Sequence, residues 1–245
     1  LSNLANDLGD HLKGTDNENR IGPTRTTQTG EITVSKMKKA VLIFVFFSLI
    51  SGILLLLVSK LSSEALLTLF LTGIGAILAA VFYTLGKRPY GYRAMGDFFV
   101  FLFFGVVGVC GSFYLHTGLF FFLFLLPAAA IGCFSAAVLN MNNMRDRVND
   151  KDNGKITLVL LLGQKKAKLY HLFLILAGWI SITLFMLDVF LIMRNFIFYL
   201  ALPLFVFHVI RVLKNDDPNK FDPELKRLAI ATFLFSLLFG ISIID

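Results

Sequence analysis

Cysteine occurs twice in the 245 residues, tryptophan once and proline six times, and only 16% of the chain is charged. Each shortage excludes something. Cys110 and Cys133 both fall inside long apolar runs, where a cysteine behaves as a small apolar residue, so neither a disulfide framework nor a thiolate metal centre is expected. The four histidines, His11, His116, His171 and His208, show no H-x-x-x-H pairing and read as interfacial packing residues; His11 alone, beside acidic residues, keeps a functional option. There is no short-period repeat and no Gly-Ser or Pro-rich linker, so residues 1–245 read as one domain. The scarcity of charge, set against 56% hydrophobic residues, 27 Phe and a mean hydropathy of +0.76, excludes an ordinary soluble domain.

What is present is long apolar runs, at about 37–59, 64–85, 97–115, 118–141, 169–187, 195–213 and 228–244. Each is near the roughly 20 residues that a spanning helix needs. The chain therefore reads as an all-α, polytopic membrane bundle with seven complete spans. An eighth helix, carrying Asn3 to Asp10, is expected to be only the last turns of a span, since the chain starts with Leu1 rather than Met. Alternating the spans puts six of the 23 Lys and Arg in segment 13–39, three in 86–96, seven in 142–168 and five around 211–227, all on one side. Only Lys60 and Arg194 face the other way. Short loops rich in cations stay cytoplasmic, so that side is assigned to the cytoplasm, and the net charge of +7 needs no nucleic-acid partner, only membrane lipid.

Two acidic stretches share that face. In "NLANDLGDHLKGTDNENR", Asn6 and Asp10 are i and i+4, Asp7 and Asp10 are i and i+3, and Asp16 lies just beyond. All three helical positions lie on neighbouring positions of one face. In "NNMRDRVNDKDNGKITL", Asp146 and Asp150 are again i and i+4, with Asn142 and Asn143 one turn earlier. Carboxylates held this close repel, and they make physical sense at the ends of membrane helices when cations neutralise them. Oxygen ligands without Cys or paired His favour a hard ion, and Mg²⁺ typically binds one or two carboxylates together with substrate phosphates. A diphosphate is the ligand this implies. Arg20, Arg25, Arg145 and Lys155 would supply its remaining countercharge, and Gly14, Gly22, Gly30 and Gly154 would let the loops fold over it. A solvated cap on helix ends would account for one such cluster; two of similar spacing, on two different spans, favour a site.

At these residues the sequence resembles a known family. N-D-x-x-D at Asn6–Asp10 followed by D-x-x-x-D at Asp146–Asp150 is similar to the paired aspartate motifs of the UbiA superfamily of intramembrane aromatic prenyltransferases. "NDLGDHLKGTDNENRIGPTRTTQTGEIT", "KRPYGYRAMGDFFVFLFFG" and "NNMRDRVNDKDNGKITL" together resemble the branch that acts on 1,4-dihydroxy-2-naphthoate, in which the last aspartate of the first motif follows a glycine, as Asp16 follows Gly14. The resemblance implies a bundle of nine helices around a central cavity, of which about eight are present here, the first helix and the start of the second lying before Leu1. It implies an enzyme of the bacterial cytoplasmic (inner) membrane, its active site facing the cytoplasm. Mg²⁺ held by Asp7, Asp10, Asp146 and Asp150, with Asp16 as a further metal ligand, would grip a polyprenyl diphosphate, and the product of prenylation and CO₂ loss would be demethylmenaquinone in menaquinone biosynthesis. Asn6 and Asn143 would orient the aspartates or a metal-bound water, Arg25, Arg145 and Lys155 would bind phosphate oxygens, and Tyr90 and Tyr92 of "GKRPYGYRAMGDFF" would lid the cavity over the naphthoate.

Phenylalanine is dense over residues 98–125 and suits either a prenyl groove or lipid contact. Gly105, Gly108 and Gly111 would allow close helix approach, and Pro127 and Pro203 would kink their spans. Other acceptors, such as 4-hydroxybenzoate, remain open within the superfamily. A CDP-alcohol phosphotransferase is disfavoured by the absence of D-G-x-x-A-R. A cation transporter, the reading from another class, is disfavoured because the charges gather at one face rather than near the midplane.

Overall fold

The computed structural model describes residues 1–18, 20–188 and 196–243, so Arg194, one of the two cations assigned to the far side, lies outside the described residues. Among the described residues, a short helix α1 (Ser2–Leu12) leads into seven helices long and apolar enough to cross a membrane: α2 (Val34–Val58), α3 (Ser63–Phe82), α4 (Gly96–Thr117), α5 (Phe122–Arg145), α7 (Leu158–Asp188), α8 (Ile197–Lys214) and α9 (Pro218–Ser242), with a one-turn-and-a-half helix α6 (Arg147–Asp152) between α5 and α7. Among the described residues the only extended pairing is a single bridge, Arg93 to Ile156. The all-helical membrane bundle expected from the sequence is what forms.

Lipid explains why the spans are continuous. With no water to satisfy backbone groups in the hydrocarbon, a spanning segment must close its own hydrogen bonds. The helices differ in what they face. Along α2, Leu57 and Val58 are each 75% exposed and Phe46 is 58% exposed, so this helix leaves large side chains uncovered by the rest of the bundle. The core lies instead where α5 packs along α4, α7 and α9. Phe134, Trp179, Phe198, Phe205 and Phe235 meet there, with Phe134 and Phe205 ring centroids 4.7 Å apart and Phe134 and Phe235 at 5.1 Å. Small residues permit the approach. A Cβ on Gly105 would sit 2.5 Å from the Ala128 carbonyl oxygen, and one on Gly178 would sit 2.4 Å from the Phe134 ring. Gly108 and Gly111 make no such contact with a neighbouring helix.

Three details depart from the sequence expectation. The fifth long helix starts at Leu158 rather than near 169, broken at Gly163, whose φ of +72° and ψ of 164° separate a short first turn from the rest. Its Lys165 and Lys166 stay exposed and Lys168 pairs with Asp216 at 2.7 Å, so these charges ride on a helical overhang at the cation-rich end that a hydropathy window cannot distinguish from a loop. Pro203 does not kink a span from within. It occupies the first turn of the regular helix Leu202–Lys214, after a tight turn over Ile197–Ala201, where its missing N–H costs nothing. In α4 the winding widens to π-type over Phe101–Cys110, a form often associated with functional sites. Cys110 and Cys133 are buried and free, as expected.

Candidate active site

All four cation-rich segments meet at one end of the bundle, where they bring together residues as far apart as Asp10 and Lys155. α1 seats there because Gly9 has no side chain: a Cβ would lie 2.3 Å from Thr84 Oγ1, and the Thr84 hydroxyl donates to the Ala5 carbonyl at 2.9 Å. α6 follows α5 after a break at Asp146, and its last turn closes on Gly154, whose φ of +70° lets the Lys155 N–H return to the Asp150 carbonyl at 2.8 Å. These two turns place both aspartate motifs side by side.

The motifs are stitched together. Lys155 Nζ lies 3.2 Å from Asp10 Oδ2 and 4.0 Å from Asp150 Oδ1, so one buried ammonium serves both. Asn149 Nδ2 donates to the Thr15 carbonyl at 2.7 Å. Arg20 Nε lies 3.4 Å from Asp16 Oδ1 and 3.8 Å from Asp146 Oδ2. Tyr92 OH donates to Asp10 Oδ1 at 2.7 Å and meets Thr15 Oγ1 at 2.6 Å, which makes it part of the wall around Asp10. Its segment is anchored by the Ala94 N–H donating to the Ile156 carbonyl at 2.8 Å, with Ala94 held at φ +55°.

The carboxylates fall into two electrical classes. Asp10 is satisfied by Lys155 and Tyr92, and Asp146 is gripped in a two-pronged pair by Arg145 at 2.8 and 2.7 Å. Arg145 also donates to Asp222 at 2.6 Å and to Asn142 at 2.7 Å, so its charge is anchored in protein. By contrast Asp16 Oδ2, Asp150 Oδ2, Asp7 Oδ1 and the Asn6 amide oxygen are buried without a hydrogen-bond donor, although Arg25 Nη1 stands 3.1 Å from Asp7 Oδ1 as an ion-pair partner. Burial raises the pKa of Asp16, and the nearby Asp10 adds to it. Burial pushes Asp150 up to about 7, against the lowering pull of Lys155. The Lys155 ammonium, held between Asp10 and Asp150, moves further above its ordinary value despite its burial. A carboxyl balanced between its two forms at neutral pH is drawn to the ionised one by an added cation.

Among the described residues no three Asp, Glu, His or Cys side chains converge closely enough to hold a metal alone. The donor-free oxygens nonetheless suit a hard cation that completes its shell with substrate phosphate oxygens, the usual arrangement for Mg²⁺. Asn143 is buried beside Asn142 on the same turn.

A cavity of about 420 Å³ opens next to these groups. Asn6, Asn142 and Lys155 form its polar end, and Tyr83, Tyr90, Phe99, Phe103 and Leu139 its walls. Tyr90 is fixed by donating to the Ala79 carbonyl at 2.7 Å and by packing on Phe99 with centroids 4.1 Å apart. An apolar groove of about 310 Å³ between α2, α3 and α4 shares Ala76 and Val107 with the cavity lining, so the two are adjacent. The arrangement sets a charged, polar head beside an aromatic chamber and an apolar groove.

A family model described as the UbiA prenyltransferase family matches residues 1–241. The chain belongs to the UbiA prenyltransferase family. It is 41% identical over 243 residues to the 1,4-dihydroxy-2-naphthoate octaprenyltransferase of Escherichia coli (strain K12), covering 99% of this chain and 79% of that protein. It is 38% identical over 244 residues to the protein of the same name from Haemophilus influenzae (strain ATCC 51907 / DSM 11121 / KW20 / Rd), covering 100% of this chain and 79% of that one. It is 23% identical over 244 residues to the Drosophila melanogaster "UbiA prenyltransferase domain-containing protein 1 homolog", covering 98% and 64% respectively. No solved structure matches. In this prenyltransferase the sequence-predicted residues Asn6, Asp7, Asp10, Tyr90, Tyr92, Asn143, Arg145 and Asp150 occur on helical elements at this end of the bundle, and Asp16, Arg25, Asp146 and Lys155 on the segments that link or flank them. Thr15, Asn149 and Asp222 were not singled out. Asn149 had a local signal in its place beside Asp150; Thr15 and Asp222 had none, because their partners are distant in sequence.

Proposed function

We propose that this integral membrane enzyme transfers a polyprenyl group from polyprenyl diphosphate to 1,4-dihydroxy-2-naphthoate, releasing diphosphate and CO₂ and giving demethylmenaquinone for menaquinone biosynthesis. Two bacterial relatives bearing that substrate in their names, each about two-fifths identical along nearly the whole chain, support the acceptor. The observation that carries the chemistry is the Lys155 ammonium shared between Asp10 and Asp150, which joins two acidic motifs into one anion-binding head over an aromatic cavity.

Asp7, Asp10, Asp146 and Asp150, with Asp16 beside them, would hold Mg²⁺; when bound, it neutralises the diphosphate and improves it as a leaving group. Lys155 and Arg25 bind phosphate oxygens, Arg145 keeps Asp146 in place, and Asn6 and Asn143 orient the carboxylates. The prenyl C1–O bond breaks, its electron pair leaving with the diphosphate. Tyr90 and Phe99 line the cavity in which the allylic cation would form, where aromatic rings stabilise positive charge. The ring carbon of the naphthoate that bears the carboxyl attacks C1, and the electron pair of the bond to CO₂ returns to the ring. The prenyl tail runs along the groove between α2, α3 and α4. The cation-rich face is the cytoplasmic face of a bacterial inner membrane.

Membranes containing the protein, given Mg²⁺, a polyprenyl diphosphate and an acceptor panel, are expected to prenylate 1,4-dihydroxy-2-naphthoate. Prenylation of 4-hydroxybenzoate in its place would keep the mechanism and overturn the acceptor. Ion flux without diphosphate consumption would favour a transporter.

A further inference from the structure

A second polar assembly lies behind the site, inside the bundle. Asn140, His171, His208 and Glu224 come from α5, α7, α8 and α9, and each is at most 3% exposed. His171 Nε2 and His208 Nε2 are 2.8 Å apart, His208 Nδ1 is 3.0 Å from Glu224 Oε2, and His171 Nδ1 is 3.2 Å from Asn140 Oδ1. Glu224 Oε1 receives Arg211 Nε at 2.7 Å and a short contact from Arg227 Nη1. The reading of His171 and His208 as interfacial packing is thereby corrected: the spacing that pairs them arises only when α7 and α8 pack.

The chain has a direction. Glu224, held by two arginines, accepts from His208 Nδ1–H, so His208 Nε2 accepts from His171 Nε2–H. That leaves His171 Nδ1 bare and requires the Asn140 amide to turn over, so that its NH₂, which otherwise lacks a partner, takes the place of Oδ1. Such an assembly is costly in a membrane, and replacing a buried polar set by packed apolar residues is often neutral for stability. Stability is therefore a poor reason for its presence. Apolar neighbours such as Phe134 and Met141 fix how close α5 lies to the other helices, but they are not directional; hydrogen bonds are. Asn140 sits beside Leu139 and Asn142, which line the cavity, and Asp222, two residues before Glu224, binds Arg145, which binds Asp146. The first turn of α9 is thus tied to α5 twice.

We propose that Glu224, His208, His171 and Asn140 form a positioning relay that sets the rotation of α5 and so aims Asn142 and Asp146 at the diphosphate. The proposal rests on the site being a diphosphate site. Two variants test it in purified full-chain protein: Glu224→Gln, which keeps the shape and weakens the anchor, and the double variant His171→Leu/His208→Leu, which removes the relay and fills its space. The probe is geranylgeranyl diphosphate with MgCl₂, read as ligand-dependent thermal stabilisation, and in turnover as separate KM values for donor and acceptor. Both variants are expected to lose about tenfold in diphosphate affinity and to raise the donor KM by a similar factor, in the range seen when supporting partners of a ligand set are removed. The acceptor KM and the unliganded Tm should stay near wild type. Wild-type diphosphate affinity in either folded variant would overturn the relay; if the double variant fails to fold, Glu224→Gln alone decides in the same two ways. Because the thermal readout uses no acceptor, an error in the naphthoate assignment would show as lost turnover in the wild type while leaving this test intact.

Discussion

In the first aspartate motif, Asp10 is reached by Lys155 and Tyr92, partners 145 and 82 residues away along the chain. In the second, Asp146 is held by its own neighbour, Arg145. The first motif is completed only when distant segments close over it; the second spans the break from α5 into α6, and its Asp146 is held first by the adjacent Arg145, which is moored to α9 through Asp222. Similar strings of Asn and Asp are therefore wired to different degrees of dependence on the fold. The carboxylates left without donors, Asp16 and Asp150 above all, come one from each motif, which suits a ligand lying between them.

The largest effect should come from removing one of those buried, donor-free carboxylates. Asp150→Asn keeps the shape of α6 and is expected to lower turnover by about 100-fold or more, as loss of an electrostatic contact to a developing anion does, with Tm little changed. Next comes the ammonium that bridges the motifs. Lys155→Met would leave Asp10 and Asp150 facing each other and should destabilise the protein by about 3 kcal/mol while lowering turnover by less than Asp150→Asn does. Asn149→Ala removes a single stitch, the bond to the Thr15 carbonyl. It should cost roughly 1–3 kcal/mol, since that carbonyl is left unpaired, and should raise the donor KM more than it lowers kcat. Tyr92→Phe is the mildest: about 1 kcal/mol and a few-fold in turnover, confined to the first motif. If Tyr92→Phe proved as damaging as Asp150→Asn, the tyrosine would be acting on substrate and the contrast between the motifs would need redrawing.

Much of this was legible because lipid imposes a simple rule on sequence. The seven spans, the crowding of cations on one side and the two N/D motifs are local features, visible in windows of a few to about twenty residues. The start of α7 was missed because Lys165 and Lys166 break the hydropathy signal without breaking the helix. Asp7, Asp10, Asp146 and Asp150 announced themselves by helical spacing. Thr15 and Asp222 did not, since their roles arise from closure of loops 134 and 77 residues apart. The histidine relay was hidden for a stronger reason: its four members come from four helices, so no spacing within any one of them carries the signal.

The central claim is that the two motifs bind one diphosphate together. It is tested most directly by measuring Mg²⁺-dependent affinity for geranylgeranyl diphosphate in the wild type, in Asp7→Asn, in Asp150→Asn and in the double variant. A shared ligand predicts that either single change removes most of the binding and that the double change adds much less than the sum of the two. Fully additive losses, or a single variant that binds as the wild type does, would contradict it.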